Sequence, residues 1–252
     1  MNDDYSAEKV LSAEENARLL VDFIHRAIIH HGMWFSEVKE KYGMKKAFEV
    51  FNRVYKTSYG VQINKLAKVL GFNVKDDIPE PLLQLPEETL LSLKEKIAAN
   101  WLANDGIWFQ AIEFTEGMQE AKLCNDTCWA SFSPFEAWSI KQLLHLPDDS
   151  GLEGLTKALS FRLYAAINKQ SIEDESQNSI VFRMNDCRVQ SARKRKGLDD
   201  YPCKSAGVVE YTTFAETIDS RIKTECIGCP PDDHPEEWYC AWRFTIDNLK
   251  IR

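Results

Sequence analysis

Apolar residues recur three and four positions apart through the first 145 residues, whereas beyond about residue 180 they alternate with polar ones. The chain therefore predicts helices first and a small sheet later. Leu19, Leu20, Phe23 and Ile24, and again Leu91, Leu93, Ile97 and Ala98, put most of their side chains on one face of a helix. Ser12 followed by Ala13, Glu14 and Glu15 opens the first helix as a capping box, and Pro86 with Glu87 and Glu88 is the first-turn equivalent further on. These long helices are expected to stop near Gly43 and Gly117. A second helix is predicted from Lys45 or Gln119, and a third ends near Leu70 or Leu144.

The two runs are related. Shifting the sequence by 74 positions aligns Leu11 to Leu70 with Leu85 to Leu144 without a gap, and ten pairs coincide, among them Gly32/Gly106, Trp34/Trp108, Phe35/Phe109, Gly43/Gly117 and Ala47/Ala121. Chance gives about four at ordinary composition, so the first part of the chain reads as a duplication. Pro79, Pro81 and Pro86 bracket the linker. Aromatic residues at equivalent places, with Trp129 and Trp138, are expected to fill the core the two copies share. Cys124 and Cys128, four apart on a helix, are expected in the core as well.

After the amphipathic stretch Leu152 to Ile167, the polar run Gln170 to Ser179 reads as a loop. Ile180, Phe182 and Met184 then alternate in a strand that delivers Cys187, and a short basic helix runs from Val189 to Lys196. Cys203 falls at the first turn of a helix from Ser205 to Ile218, where the dipole favours a thiolate. Strands follow at Arg221 to Cys226 and Trp238 to Ile246, separated by the turn-rich Cys229-Pro230-Pro231-Asp232-Asp233-His234-Pro235. The fold class this predicts is α+β: duplicated helical units over 1–78 and 79–150, packed on a Cys-rich α+β domain over 151–252 with a small antiparallel sheet.

Charge narrows the functional classes. A net charge of -8 opposes a phosphate backbone or an anionic membrane, and the basic run Arg193 to Lys196 stands beside Asp199 and Asp200 as a solvated helix end. Neither nucleic acid nor membrane is an expected partner. No apolar stretch is long enough to span a bilayer, and the polar start, Met1 to Ser12, has no export pattern. Seven cysteines in that setting point to a reducing, cytoplasmic location and to metal binding over disulfides.

Five of them, Cys187, Cys203, Cys226, Cys229 and Cys240, lie in the last quarter or so of the chain. Cys226-x2-Cys229 is a chelating knuckle in a proline-rich turn, Cys240 arrives on the next strand, and Cys203 and Cys187 come from upstream. Four thiolates around one ion make a closed zinc site, which holds structure and leaves no place for water. The same thiols suit an iron-sulfur cluster as the alternative. His234, between Asp233 and Pro235, is expected to face solvent.

The string from Tyr201 to Ile246, YPCKSAGVVEYTTFAETIDSRIKTECIGCPPDDHPEEWYCAWRFTI, with the Gly-x-Trp-Phe segment before it, resembles a prokaryotic family known mainly from anaerobes and described as cytosolic proteins of unknown function. The resemblance runs from about Pro86 to Ile246, and the first copy of the repeat stands as an added unit. The layout is distantly similar to 4-vinyl-reductase-type ligand-binding domains, which hold zinc with one acidic residue and three cysteines. That similarity implies Cys203, Cys226 and Cys240 as ligands with Cys187 in the acidic position. Cys229 is additional, so the fourth place stays open between Cys187 and Cys229. A weaker similarity is to proteins labelled aminothiazoline-carboxylate hydrolases, although no Ser-His-Asp or Cys-His set stands in order here. The expected function is thus a soluble, structural-zinc protein with a candidate small-molecule ligand. The alternatives are a metal-dependent hydrolase of a small cyclic amide-like or thiazoline-like substrate and an iron-sulfur redox protein.

Overall fold

Each glycine expected to end a long helix is the hinge of a helical hairpin. The computed structural model describes residues 11–195, 197 and 199–247, the side chain of Lys56 excepted. The acidic start of the chain and Lys196 of the basic run lie outside the described residues. Two units result, Met1–Pro79 and Glu80–Arg252.

In the first unit, α1 (Ala13–Tyr42) and α2 (Met44–Leu70) meet at Gly43, whose φ of 82° suits a residue without Cβ. The capping box forms: Glu15 N donates to Ser12 Oγ at 3.2 Å and Ser12 N to Glu15 Oε2 at 2.9 Å. The expected break between a second and a third helix does not occur. No proline or turn cluster interrupts Met44 to Leu70, so the helix propagates as one. A two-residue hairpin, β1 (Val74–Lys75) with β2 (Ile78–Pro79), closes the unit.

The second unit opens with the short helix α3 (Glu80–Leu83) and repeats the hairpin as α4 (Glu87–Glu116) and α5 (Met118–Leu143), hinged at Gly117 with φ 97°. Here too a single helix follows the hinge, with Pro134 accommodated inside it. The aromatic pairs split. Phe35 packs edge-on against Phe51 at 5.7 Å and Phe109 against Tyr201 at 5.2 Å, whereas Trp34 and Trp108 are each 63% exposed. Neighbours on a helix point about 100° apart, so only one of each pair can face inward. The same geometry corrects Cys124 and Cys128. Both are exposed, because Ala121, Trp129, Ser133, Ala137 and Ile140 occupy the buried side of α5.

Beyond α5 come α6 (Gly151–Leu159), a 3-10 turn (Leu163–Ala166), and a four-stranded antiparallel sheet in the order β3-β4-β6-β5. Its strands are β3 (Lys169–Ser176), β4 (Ser179–Asp186), β5 (Ile222–Gly228) and β6 (Cys240–Ile246). The polar run expected as a loop is strand β3. It is an edge strand paired only with β4, so the charges that hid its period, Glu173, Asp174 and Glu175, sit where an edge tolerates and benefits from them. The helix α7 (Arg188–Arg195) follows β4, and α8 (Lys204–Ile218) precedes β5.

The core lies between α8, α6 and the sheet. Phe182, Trp242 and Phe244 meet Tyr211, Phe214 and Ile218 there. The other side of α8 is bound to α5: Ser133 Oγ donates to the Glu210 carbonyl at 2.5 Å, and Lys141 Nζ donates to the Ile218 carbonyl at 2.8 Å, capping the C-terminus of α8. Asp219 then joins three elements. Its carboxylate accepts from Gly151 N at 2.9 Å and from Arg221 Nη2 at 2.6 Å, and the Arg221 hydrogen bonds hold its carboxyl at about 2. A depressed carboxyl contributes stability above its unfolded value near 3.8 and loses it as pH falls toward 2. Asp219→Asn is expected to cost about 2 kcal/mol at pH 7, shrinking to nothing near pH 2, in urea melts across that range.

Gly207 marks the tightest contact between α8 and the sheet. A Cβ there would stand 2.7 Å from Trp242 Cζ2 and 3.7 Å from Cys229 Sγ. Gly207→Ala is expected to destabilise by about 1–3 kcal/mol, measured as the chemical denaturation midpoint.

Candidate functional site

The β-ladder gathers the thiols. Met184 on β4 opposes Cys240 on β6, Cys226 on β5 opposes Trp242, and a register shift between Cys226 and Gly228 leads the chain into Cys229. Cys203 immediately precedes α8, whose first residue holds the loop after β5: Lys204 N donates to the Pro230 carbonyl at 2.9 Å and Lys204 Nζ to Asp232 at 2.7 Å. Lys122 of α5 donates to the Pro202 carbonyl at 2.5 Å from the other side. These anchors bring Cys203 Sγ and Cys229 Sγ to 3.5 Å.

That separation is informative. A disulfide requires about 2.05 Å, whereas two thiolates on one zinc, each about 2.3 Å from the ion, stand roughly 3.8 Å apart at a tetrahedral angle. None of the seven cysteines is joined in a disulfide. Among the described residues no three His, Cys, Asp or Glu side chains converge closely enough to hold an ion as they stand, so metal binding would draw Cys226, Cys229 and Cys240 further together.

The thiols differ in their surroundings. The hydrogen bond with Cys229 lowers the Cys203 thiol and raises Cys229, which shares further with Cys240. Burial pushes Cys226 up to about 11 and Cys187 up to about 12. Cys187 is the residue before α7, and its sulfur accepts from the N–H groups of Gln190 and Val189. Cys226 lies on the inward face of β5, opposite Trp242 of β6. His234 is occupied elsewhere: it is half-buried, with Nε2 2.8 Å from Asp200 Oδ2 and Nδ1 2.8 Å from the Pro235 carbonyl.

Cys187, Cys203, Cys229 and Cys240 also line a cavity of about 440 Å³, which Cys226 does not. Its aromatic walls are Phe109, Trp129, Tyr164, Tyr201, Tyr211 and Trp242. Polar residues line it from four helices, among them Asp105 and Glu113 of α4, Asn125 of α5, Gln190 of α7 and Glu210 of α8. Gln190, 1% exposed, clamps the chain ahead of Cys203 by donating to the Tyr201 carbonyl and accepting from Tyr201 N, both at 2.8 Å.

Behind the cavity a buried guanidinium serves two carboxylates. Arg162 Nε donates to Glu136 Oε2 at 2.8 Å, and Arg162 Nη2 stands 2.6 Å from Glu210 Oε1 at an angle that leaves both atoms without a hydrogen bond among the described residues. Burial pushes the Glu210 carboxyl up to about 7 against the pull of Arg162, and burial also raises Asp105. Asn168 Nδ2 and Trp242 Nε1 are buried with no partner among the described residues.

Sequence comparison now adds the family. A model described as a family of unknown function, DUF6125, matches residues 9–85 and 82–246. The chain belongs to this family. Its two matches meet at the boundary between the two copies of the repeat. No curated protein and no solved structure matches the chain. The family match carries no link to 4-vinyl-reductase-type domains or to aminothiazoline-carboxylate hydrolases. Among the described residues no helix of this family member is long and apolar enough to cross a membrane.

Proposed function

We propose that this DUF6125 member is a small-molecule-binding protein of a reducing, cytoplasmic setting whose cavity is closed at one end by a thiolate-bound metal ion, zinc foremost. The observation that carries the reading is the contact of Cys203 and Cys229 at 3.5 Å on the wall of an aromatic cavity. Cys203, Cys226, Cys229 and Cys240 would hold the ion. Cys229 already touches Cys203, Cys226 is its partner in the two-residue knuckle, and Cys240 lines the same cavity. Cys187, whose sulfur caps α7, remains a wall of the cavity. Saturated by four thiolates, the ion supplies structural cross-linking and no site for water.

The protein's own residues then do the binding. The aromatic walls exclude water, and Gln190 fixes the backbone that carries Cys203. The test is metal content after anaerobic purification, with each of the five cysteines changed to serine. One zinc per chain is expected, lost with Cys203→Ser, Cys226→Ser, Cys229→Ser or Cys240→Ser and kept with Cys187→Ser. Metal-free wild-type protein, or a brown sample with iron and sulfide, overturns the zinc reading. Zinc lost with Cys187→Ser and kept with Cys226→Ser overturns the assignment of ligands.

A further inference from the structure

The charges around the cavity do not balance. Arg162, Glu136 and Glu210 are 3%, 6% and 6% exposed, so one guanidinium is enclosed with two carboxylates. Glu136 takes the better share of it: Oε2 accepts from Arg162 Nε, and Oε1 accepts from Leu163 N at 2.9 Å. Glu210 shares the same guanidinium through Oε1, 2.6 Å from Arg162 Nη2, and has no second donor comparable to Leu163 N among the described residues' hydrogen bonds. It is also the carboxylate of the pair that lines the cavity. Asp105 and Glu113 of α4 add two further acidic residues to the lining.

We infer that the ligand of this cavity is an organic cation, a primary ammonium or amidinium on a small apolar or aromatic body, whose charged end meets Glu210 and Asp105. Three features fit that class. A desolvated carboxylate in surplus gains most from a donor that brings its own positive charge, because a charge-assisted hydrogen bond out of water is about twice as strong as a neutral one. Six aromatic rings around the same space favour a cation over their faces and an apolar body between them. The positive groups that also line the cavity are poorly placed to reverse its sign: Arg188 is exposed, and Arg193 donates Nε to the Asp199 carbonyl at 2.6 Å. An exposed charge such as Arg188 is screened, whereas the buried Glu210 is not.

The inference deepens the proposed ligand-binding role but does not depend on the metal. A pair of probes matched in size tests it on the full chain at pH 8 and low salt: 2-phenylethylammonium and phenylacetate, followed by calorimetry and by thermal shift. The ammonium is expected to bind and to raise the midpoint, and the carboxylate to do neither. Glu210→Gln should keep the fold, since it removes the surplus charge and leaves Arg162 to Glu136, and should weaken the ammonium by roughly ten- to a hundredfold. Asp105→Asn, on a half-buried position, is expected to weaken it less, with no loss of midpoint in the free protein. Equal or tighter binding of phenylacetate, no binding of either probe, or unchanged ammonium affinity in both variants overturns the inference. Zinc content read on the same samples separates the two claims: ammonium binding to zinc-free wild-type protein overturns the metal and upholds the cation.

Discussion

Arg162→Ala is expected to lower the unfolding free energy by about 3–5 kcal/mol. The cost follows from what remains behind. Glu136 and Glu210 would stay buried among Tyr164, Tyr211 and Phe214, whose rings now surround the guanidinium at 5.6, 5.4 and 4.7 Å. A buried charge without its partner is far more damaging than the absence of the whole pair. Adding Glu210→Gln to the Arg162 variant should therefore recover part of the loss, although each change is made in the same network and the two will not add. Urea denaturation of the single and double variants measures both effects. Equal stability of Arg162→Ala and wild type would contradict the buried network.

Metal removal is expected to be the second large effect. An ion present at a thousand times its dissociation constant contributes about 4 kcal/mol to the folded state, which is about 8–16 °C of midpoint for a unit of 150–250 residues. Chelator-treated protein should melt lower by that amount and recover on adding zinc. The loss should fall on Glu80–Arg252, the unit containing all five clustered thiols, and leave the helical hairpin of Met1–Pro79 unaffected. Cys229→Ser should reproduce the chelated state, because it removes a proposed ligand whose sulfur stands 3.5 Å from that of Cys203.

Much of this architecture is legible in the sequence, for identifiable physical reasons. Gly43 and Gly117 are readable as hinges because both occupy the same place in the repeat and only a residue without Cβ takes their backbone easily. Alternation reveals β6, since Cys240, Trp242, Phe244 and Ile246 all face the core. It fails for β3, where an edge strand in solvent keeps no apolar period. The Trp-Phe pairs mislead because repetition shows that both positions matter to the hairpin without showing which of two neighbours points inward.

The five thiols are legible as belonging to one unit, but which of them meet is not. Spacing offers Cys187 and Cys229 equally as the fourth residue. Only the bulge after Cys226 and the anchoring of Lys204 to Pro230 show Cys229 against Cys203. Glu210 and Glu136 escape notice for a different reason. Each carboxylate stands within the buried stripe of its helix, beside Ala206, Gly207, Tyr211 and Phe214 on α8 and beside Ser133, Ala137 and Ile140 on α5. A charge inside an apolar stripe is a usable signal, yet its partner Arg162 lies on another element and has no pattern of its own.

A metal ion held by sulfur alone at the end of the cavity is tested by X-ray absorption at the zinc edge of anaerobically purified protein. One zinc per chain with four sulfur neighbours at about 2.3 Å is expected; protein without stoichiometric zinc, or zinc whose shell contains nitrogen or oxygen, overturns the proposal.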